Sequence, residues 1–126
     1  MKIYLAGPMT GIEHYNFPMF NRVADLLRKA GHTVFNPAEN DIQNGFDAEK
    51  LNLRGHEAAE HGFDLRETLK QDLSWICDNA EAIALLPNWE HSKGVRAEVA
   101  LAAALGLPQY PHWMFWLSAD KEEVKV

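Results

Sequence analysis

Ile3-Tyr4-Leu5-Ala6 is a short apolar run closed by Gly7-Pro8, the pattern of a buried strand running into a turn. Phe20, Val23, Ala24 and Leu27 then recur at helical spacing. They predict a helix capped by Asn16, running through Ala30 and stopped by Gly31. Thr33-Val34-Phe35 is a second short strand ending at Asn36-Pro37. From Ala38 to Gly62 the chain is polar and shows no convincing period; part of it is open to helix, and loops of this length often carry function. Asp64 opens a second helix with the stripe Leu65, Leu69, Leu73 and Ile76. Ala82-Ile83-Ala84-Leu85-Leu86 is an apolar strand broken by Pro87-Asn88. Ser92 and Gly94 lead into a third helix carrying Val95, Val99, Ala102 and Ala103, which ends near Gly106. Gln109-Tyr110 offers a last strand.

Strands alternating with helices predict an α/β fold: a flavodoxin- or Rossmann-like three-layer sandwich, with a short parallel sheet and helices on both faces. Residues 1–118 form one expected domain and 119–126 a charged tail. Ligands of such sheets bind beyond the carboxyl ends of the strands. Here those ends are Gly7–Gly11, Asn36–Glu39 and Pro87–Gly94.

Composition narrows the function. The 126 residues suffice for one cored domain without staples, and the single cysteine, Cys77, excludes an internal disulfide. Cys77 falls among apolar helical positions and reads as a core residue. A net charge of −6 argues against a nucleic-acid polymer as partner. The run after Met1 is too short for a signal peptide or a membrane span, so a cytoplasmic protein is expected. His56 and His61 bracket Glu57 and Glu60 but stand five apart, about 140° round a helix, so the zinc-protease pattern fails. No metal site and no cofactor motif is read from the chain. Gly7-Pro8-Met9-Thr10-Gly11 suits close approach of a ligand to the backbone, or is a plain turn. His112-Trp113-Met114-Phe115-Trp116 reads as core or subunit contact, with base stacking as the alternative.

Three acids stand out. Glu98 lies among small apolar residues early in a helix, either complementing its macrodipole or acting as a functional acid. Asp72 flanks the stripe of its helix, where it is either partly desolvated or at the surface. Asp78, with Asn79, reads as a helix-end residue just before a central strand.

The ordered set Tyr4-Leu5-Ala6-Gly7-Pro8, Gln71-Asp72-Leu73, Asp78-Asn79-Ala80 and Ser92-Lys93-Gly94 leading to Glu98 resembles the nucleoside 2-deoxyribosyltransferase family. Asn16-Phe17, Asn36-Pro37 and Leu86-Pro87-Asn88-Trp89 are similar to a compact phage-type branch of it. The resemblance implies cleavage of the N-glycosidic bond of nucleosides or their 5′-monophosphates, as hydrolase or transferase. Glu98 is the implied nucleophile, Asp72 the ribose orienter or proton shuttle, and Tyr4 the residue that holds the carboxylate. Gly7, Pro8, Met9, Asn88, Ser92 and Gly94 are the implied substrate contacts, Ser92 either binding the 5′-phosphate or simply capping its helix. A homodimer or higher homo-oligomer with shared sites is also implied. The competing functions are a silent nucleotide-binding or sensing module and a hydrolase of a larger nucleotide such as a dinucleotide.

Overall fold

A computed structural model describes residues 1–46 and 64–116. His56, His61 and the charged tail lie outside these residues. Strands β1 (Lys2–Ala6), β2 (Thr33–Phe35), β3 (Ala82–Leu85) and β4 (Gln109–Pro111) form one parallel sheet in the order β2-β1-β3-β4. Helices α1 (Phe17–Lys29), α2 (Pro37–Gln43), α3 (Leu65–Asn79) and α4 (Lys93–Ala104) connect them.

Alternation along the strands sorts the core into two halves, because successive side chains leave opposite faces. Ile3, Leu5, Ala82, Ala84 and Leu86 meet Phe20, Val23 and Leu27 of α1 on one face. Tyr4, Ala6, Ile83 and Leu85 meet Ile76 of α3 and Val95 and Ala102 of α4 on the other. The result is the expected three-layer α/β sandwich. Among the described residues no helix is long and apolar enough to cross a membrane.

Glycines end the helices as the pattern indicates. At Gly31 (φ 97°) and Gly106 (φ 74°) the chain turns left-handed. His32 N–H donates back to Leu27 O at 3.1 Å, and Leu107 N–H to Ala102 O at 2.9 Å, satisfying carbonyls that a helix end leaves open.

Several expectations are corrected. Asn16 does not cap α1. It is left-handed (φ 61°), as are His14 and Tyr15, and its side chain instead donates to Pro8 O at 2.8 Å. Three successive left-handed residues that are not glycine are costly, about 1–2 kcal/mol each. Burial of the Tyr15 ring against Phe17 and Phe46 offsets that cost. Leu65 is exposed at the first turn of α3. Cys77 is exposed rather than in the core, because it is turned about 100° round α3 from the buried Ile76. Ala103 is exposed too. The aromatic cluster divides: Phe115 enters the core, Trp116 packs beside it, and Trp113 and Met114 face out.

Candidate active site

Glu98 is on the inward stripe of α4, one turn after Val95 and one before Ala102. It lies beyond the first turn, where a macrodipole would act, and is only 5% exposed. The macrodipole alternative therefore falls. Asp72 occupies the matching place on α3, one turn before Ile76, and these two are the helix's buried residues. It is in the stripe rather than beside it. Tyr4 points between the two helices from the middle of β1, its ring stacked on Phe35 at 5.3 Å and 16°. Trp75 of α3 closes the other side of that pair, 5.1 Å from Phe35.

These positions bring the groups together. The Tyr4 hydroxyl donates to Glu98 Oε2 at 2.6 Å, in the range of a charge-assisted bond. A phenol has one proton to give, so Asp72 shares that hydroxyl only in competition with Glu98. Asp72 Oδ1 is buried with no hydrogen-bond partner among the described residues.

A fourth group, absent from the sequence reading, completes the cluster. The stretch after Asn36-Pro37 contains α2, which begins as Asn36 Oδ1 accepts from Ala38 N–H at 3.0 Å. Asn36 also donates to Asn21 on α1 at 3.0 Å. At the far end Gln71 Oε1 of α3 accepts from both Asn40 and Asn44, each at 2.8 Å. Held at both ends, α2 turns Asp41 inward to 2% exposure, and neither of its oxygens has a hydrogen-bond partner among the described residues.

Electrostatics follow from this crowding. Burial pushes Glu98 up to about 8, with the Tyr4 hydrogen bond opposing and Asp72 and then Asp41 adding to the rise. Burial likewise lifts Asp72 to about 7, opposed by the Tyr4 hydroxyl. Asp41 is lifted to about 7 by burial and by the nearby Asp72, with no donor opposing. Burial and the two acids beside it hold Tyr4 well above its ordinary value. None of the three acids is paired with a cation among the described residues. No group of His, Cys, Asp or Glu there is arranged to hold a metal ion. At 2–5% exposure the three acids are covered.

The other predicted positions are at the strand ends but outside this cluster. A side chain at Gly7 would sit 2.7 Å from Leu86, so its smallness serves the packing of β1 against β3. Pro8 is buried and Met9 packs on the core. Asn88 is exposed and left-handed (φ 65°) where the chain leaves β3. Ser92 caps α4, its Oγ accepting from Val95 N–H at 3.3 Å. A side chain at Gly94 would meet only ordinary contacts, the nearest at 3.7 Å. Among the described residues Asn88, Ser92 and Gly94 make no hydrogen bond to the acids. Asp78 is exposed at the other end of α3 and does not join them.

No curated protein and no solved structure matches the chain. Residues 1–110 match a family described as a domain of unknown function (DUF4406), which is thus the family to which this chain belongs.

Proposed function

We propose that the protein cleaves the N-glycosidic bond of nucleosides or nucleoside 5′-monophosphates with Glu98 as nucleophile, as its resemblance to nucleoside 2-deoxyribosyltransferases implies. The observation that carries this is the 2.6 Å bond from Tyr4 to Glu98 beside a second buried acid. Breaking a C1′–N bond builds oxocarbenium character, which a carboxylate traps as a glycosyl ester. Glu98 reacts as the carboxylate, the form that the Tyr4 hydroxyl favours. Burial opposes that form, and such tension between a charge and its surroundings is typical of working acids. Asp72, with one open oxygen, accepts from a ribose hydroxyl and orients the sugar. Water or a second base resolves the ester, which makes hydrolysis and transfer two endings of one half-reaction. The site acts within a homodimer or larger assembly, on small molecules rather than nucleic acid, in the cytoplasm, without metal or cofactor.

The test is incubation of the purified protein with a panel of deoxynucleosides, ribonucleosides and their 5′-monophosphates, with chromatography for free base. Release that disappears in Glu98→Ala, folded by circular dichroism, supports the proposal. Absence of release across the panel, with and without an acceptor base, overturns it.

A further inference from the structure

Asp41 has no structural explanation of its own. Its two oxygens are buried, unpaired among the described residues, and in the last turn of α2, the end of a helix where negative charge is least favoured. A buried carboxyl without partners is a large liability, so its retention calls for a functional or structural reason. The chain nevertheless secures α2 twice over, through Asn36 and Gln71, in the orientation that keeps Asp41 inside. We propose that Asp41 is the acid that delivers a proton to the departing base, a role separate from that of Asp72. This rests on the glycosidase function proposed above.

Two observations separate the acids. Asp72 has one open oxygen and competes with Glu98 for the Tyr4 hydroxyl, which suits an acceptor for a sugar hydroxyl. Asp41 has two open oxygens and no donor among the described residues, so nothing there favours its charged form, which suits an acid that gives a proton. Position agrees with this. Displacement at C1′ places the departing base on the side of the sugar away from the nucleophile. Glu98 is carried by α4, which packs on α3, and Asp41 by α2, which packs on α1, so the two acids reach the site from separate elements.

The step balances. A Glu98 oxygen bonds to C1′ as the C1′–N bond breaks, and its electron pair stays with the base. The base takes the Asp41 proton, leaving Asp41 as carboxylate. In the second half that carboxylate accepts a proton from water as the water oxygen attacks C1′, and the ester electron pair returns to Glu98. One group serves as acid and then as base.

The experiment reads base release in a single turnover, which reports the first half-reaction alone, and compares wild type with Asp41→Asn on two substrates, a purine deoxynucleoside and the same nucleoside methylated at N7. The methylated base leaves without a proton, so it has no need of the acid. Asp41→Asn should lose a hundredfold or more on the ordinary nucleoside, the usual scale of general acid catalysis. It should stay within a few-fold of wild type on the methylated one. An equal loss on both substrates, or none on either, overturns the role of Asp41 while leaving the glycosidase function standing. If wild type cleaves neither substrate, that function fails and the role of Asp41 falls with it.

Discussion

Tyr4 and Glu98, 94 residues apart in sequence, share a buried 2.6 Å hydrogen bond across the face of β1 covered by α3 and α4. The phenol gives its one proton to an acid whose charged form burial disfavours. Tyr4→Phe keeps the ring and its stacking on Phe35 but removes that donor. A hydrogen bond to a charged group is worth about 1.5–3 kcal/mol. We expect kcat/KM to fall roughly ten- to a hundredfold, and the acidic limb of the rate profile to move to higher pH. A variant with unchanged rate and profile would show that Tyr4 only fills space.

The acids predict the shape of the profile itself. The reactive form needs Glu98, near 8, without its proton and Asp41, near 7, with one. The rate should therefore be bell-shaped, with limbs at about 7 and about 8 that belong to the coupled set rather than to single residues. With an N7-methylated substrate, base release in a single turnover should lose the alkaline limb and keep one rise, at about 8, as Glu98 ionises. A flat profile from mildly acidic to alkaline pH would contradict this assignment.

The same acids make stability depend on pH, and the sign is opposite to that of a salt-bridged carboxylate. Asp72 holds its proton to about 7 in the folded chain, against an ordinary value of 3.8. Unfolding releases that proton at any pH between these values. The stabilisation is thus complete below the ordinary value and is lost as pH rises through the folded one. Asp72→Asn, which cannot ionise, should be more stable than wild type at pH ~8 by on the order of 2–4 kcal/mol. That gain should shrink towards zero near pH ~4, while turnover is severely slowed. Urea midpoints at both pH values check it, and a loss of stability at the higher pH would contradict it.

Much of this was legible in the sequence because it depends on local rules. The apolar runs at Ile3–Ala6 and Ala82–Leu86, the stop at Gly31 and the caps Asp64 and Ser92 need only neighbours a few residues away. Glu98 was legible as an acid among small apolar residues and Asp72 as one flanking the stripe of its helix, but not that both lie within the buried stripes. Asp41 was not, since a helix of 7 residues is too short to show a period. The available signal was Asn36-Pro37, a cap followed by proline in the first turn, with Gly45 as the stop. What turns Asp41 inward is Gln71, 31 residues away from Asn40, and no local pattern carries that. The left-handed turn at His14–Asn16 was hidden for the same reason, since burial of Tyr15 overrides what each residue prefers alone.

The outer edge of the sheet predicts assembly. Tyr110 (47%), Trp113 (46%) and Met114 (36%) are exposed on and just after β4, an edge strand with no neighbour beyond it among the described residues. Large apolar side chains gathered beside an open edge favour association. Light scattering should give a dimer or larger species at micromolar concentration, and Trp113→Ser should shift it towards monomer. A wild-type protein that stays monomeric throughout would end the idea of a shared site.

The proposed monophosphate preference is testable at Ser92. Its Oγ accepts from Val95 N–H, which leaves the hydroxyl proton free to donate to a phosphate oxygen at the start of α4. If it does, Ser92→Ala removes one hydrogen bond to a charged group, about 1.5–3 kcal/mol. That is a roughly ten- to hundredfold loss in kcat/KM for a 5′-monophosphate, with the nucleoside nearly unaffected because it never uses the contact. Losing only the cap acts differently. It lowers stability by about 1 kcal/mol and reduces activity on all substrates alike. The quantity to measure is therefore the ratio of kcat/KM for a deoxynucleoside 5′-monophosphate to that for its nucleoside, in wild type and in Ser92→Ala. Thermal unfolding of both proteins isolates the capping contribution. We expect the ratio to fall at least tenfold while the melting temperature drops by a few degrees. A ratio that does not move, with the same drop in melting temperature, assigns Ser92 to the helix cap alone and removes the basis for a monophosphate preference.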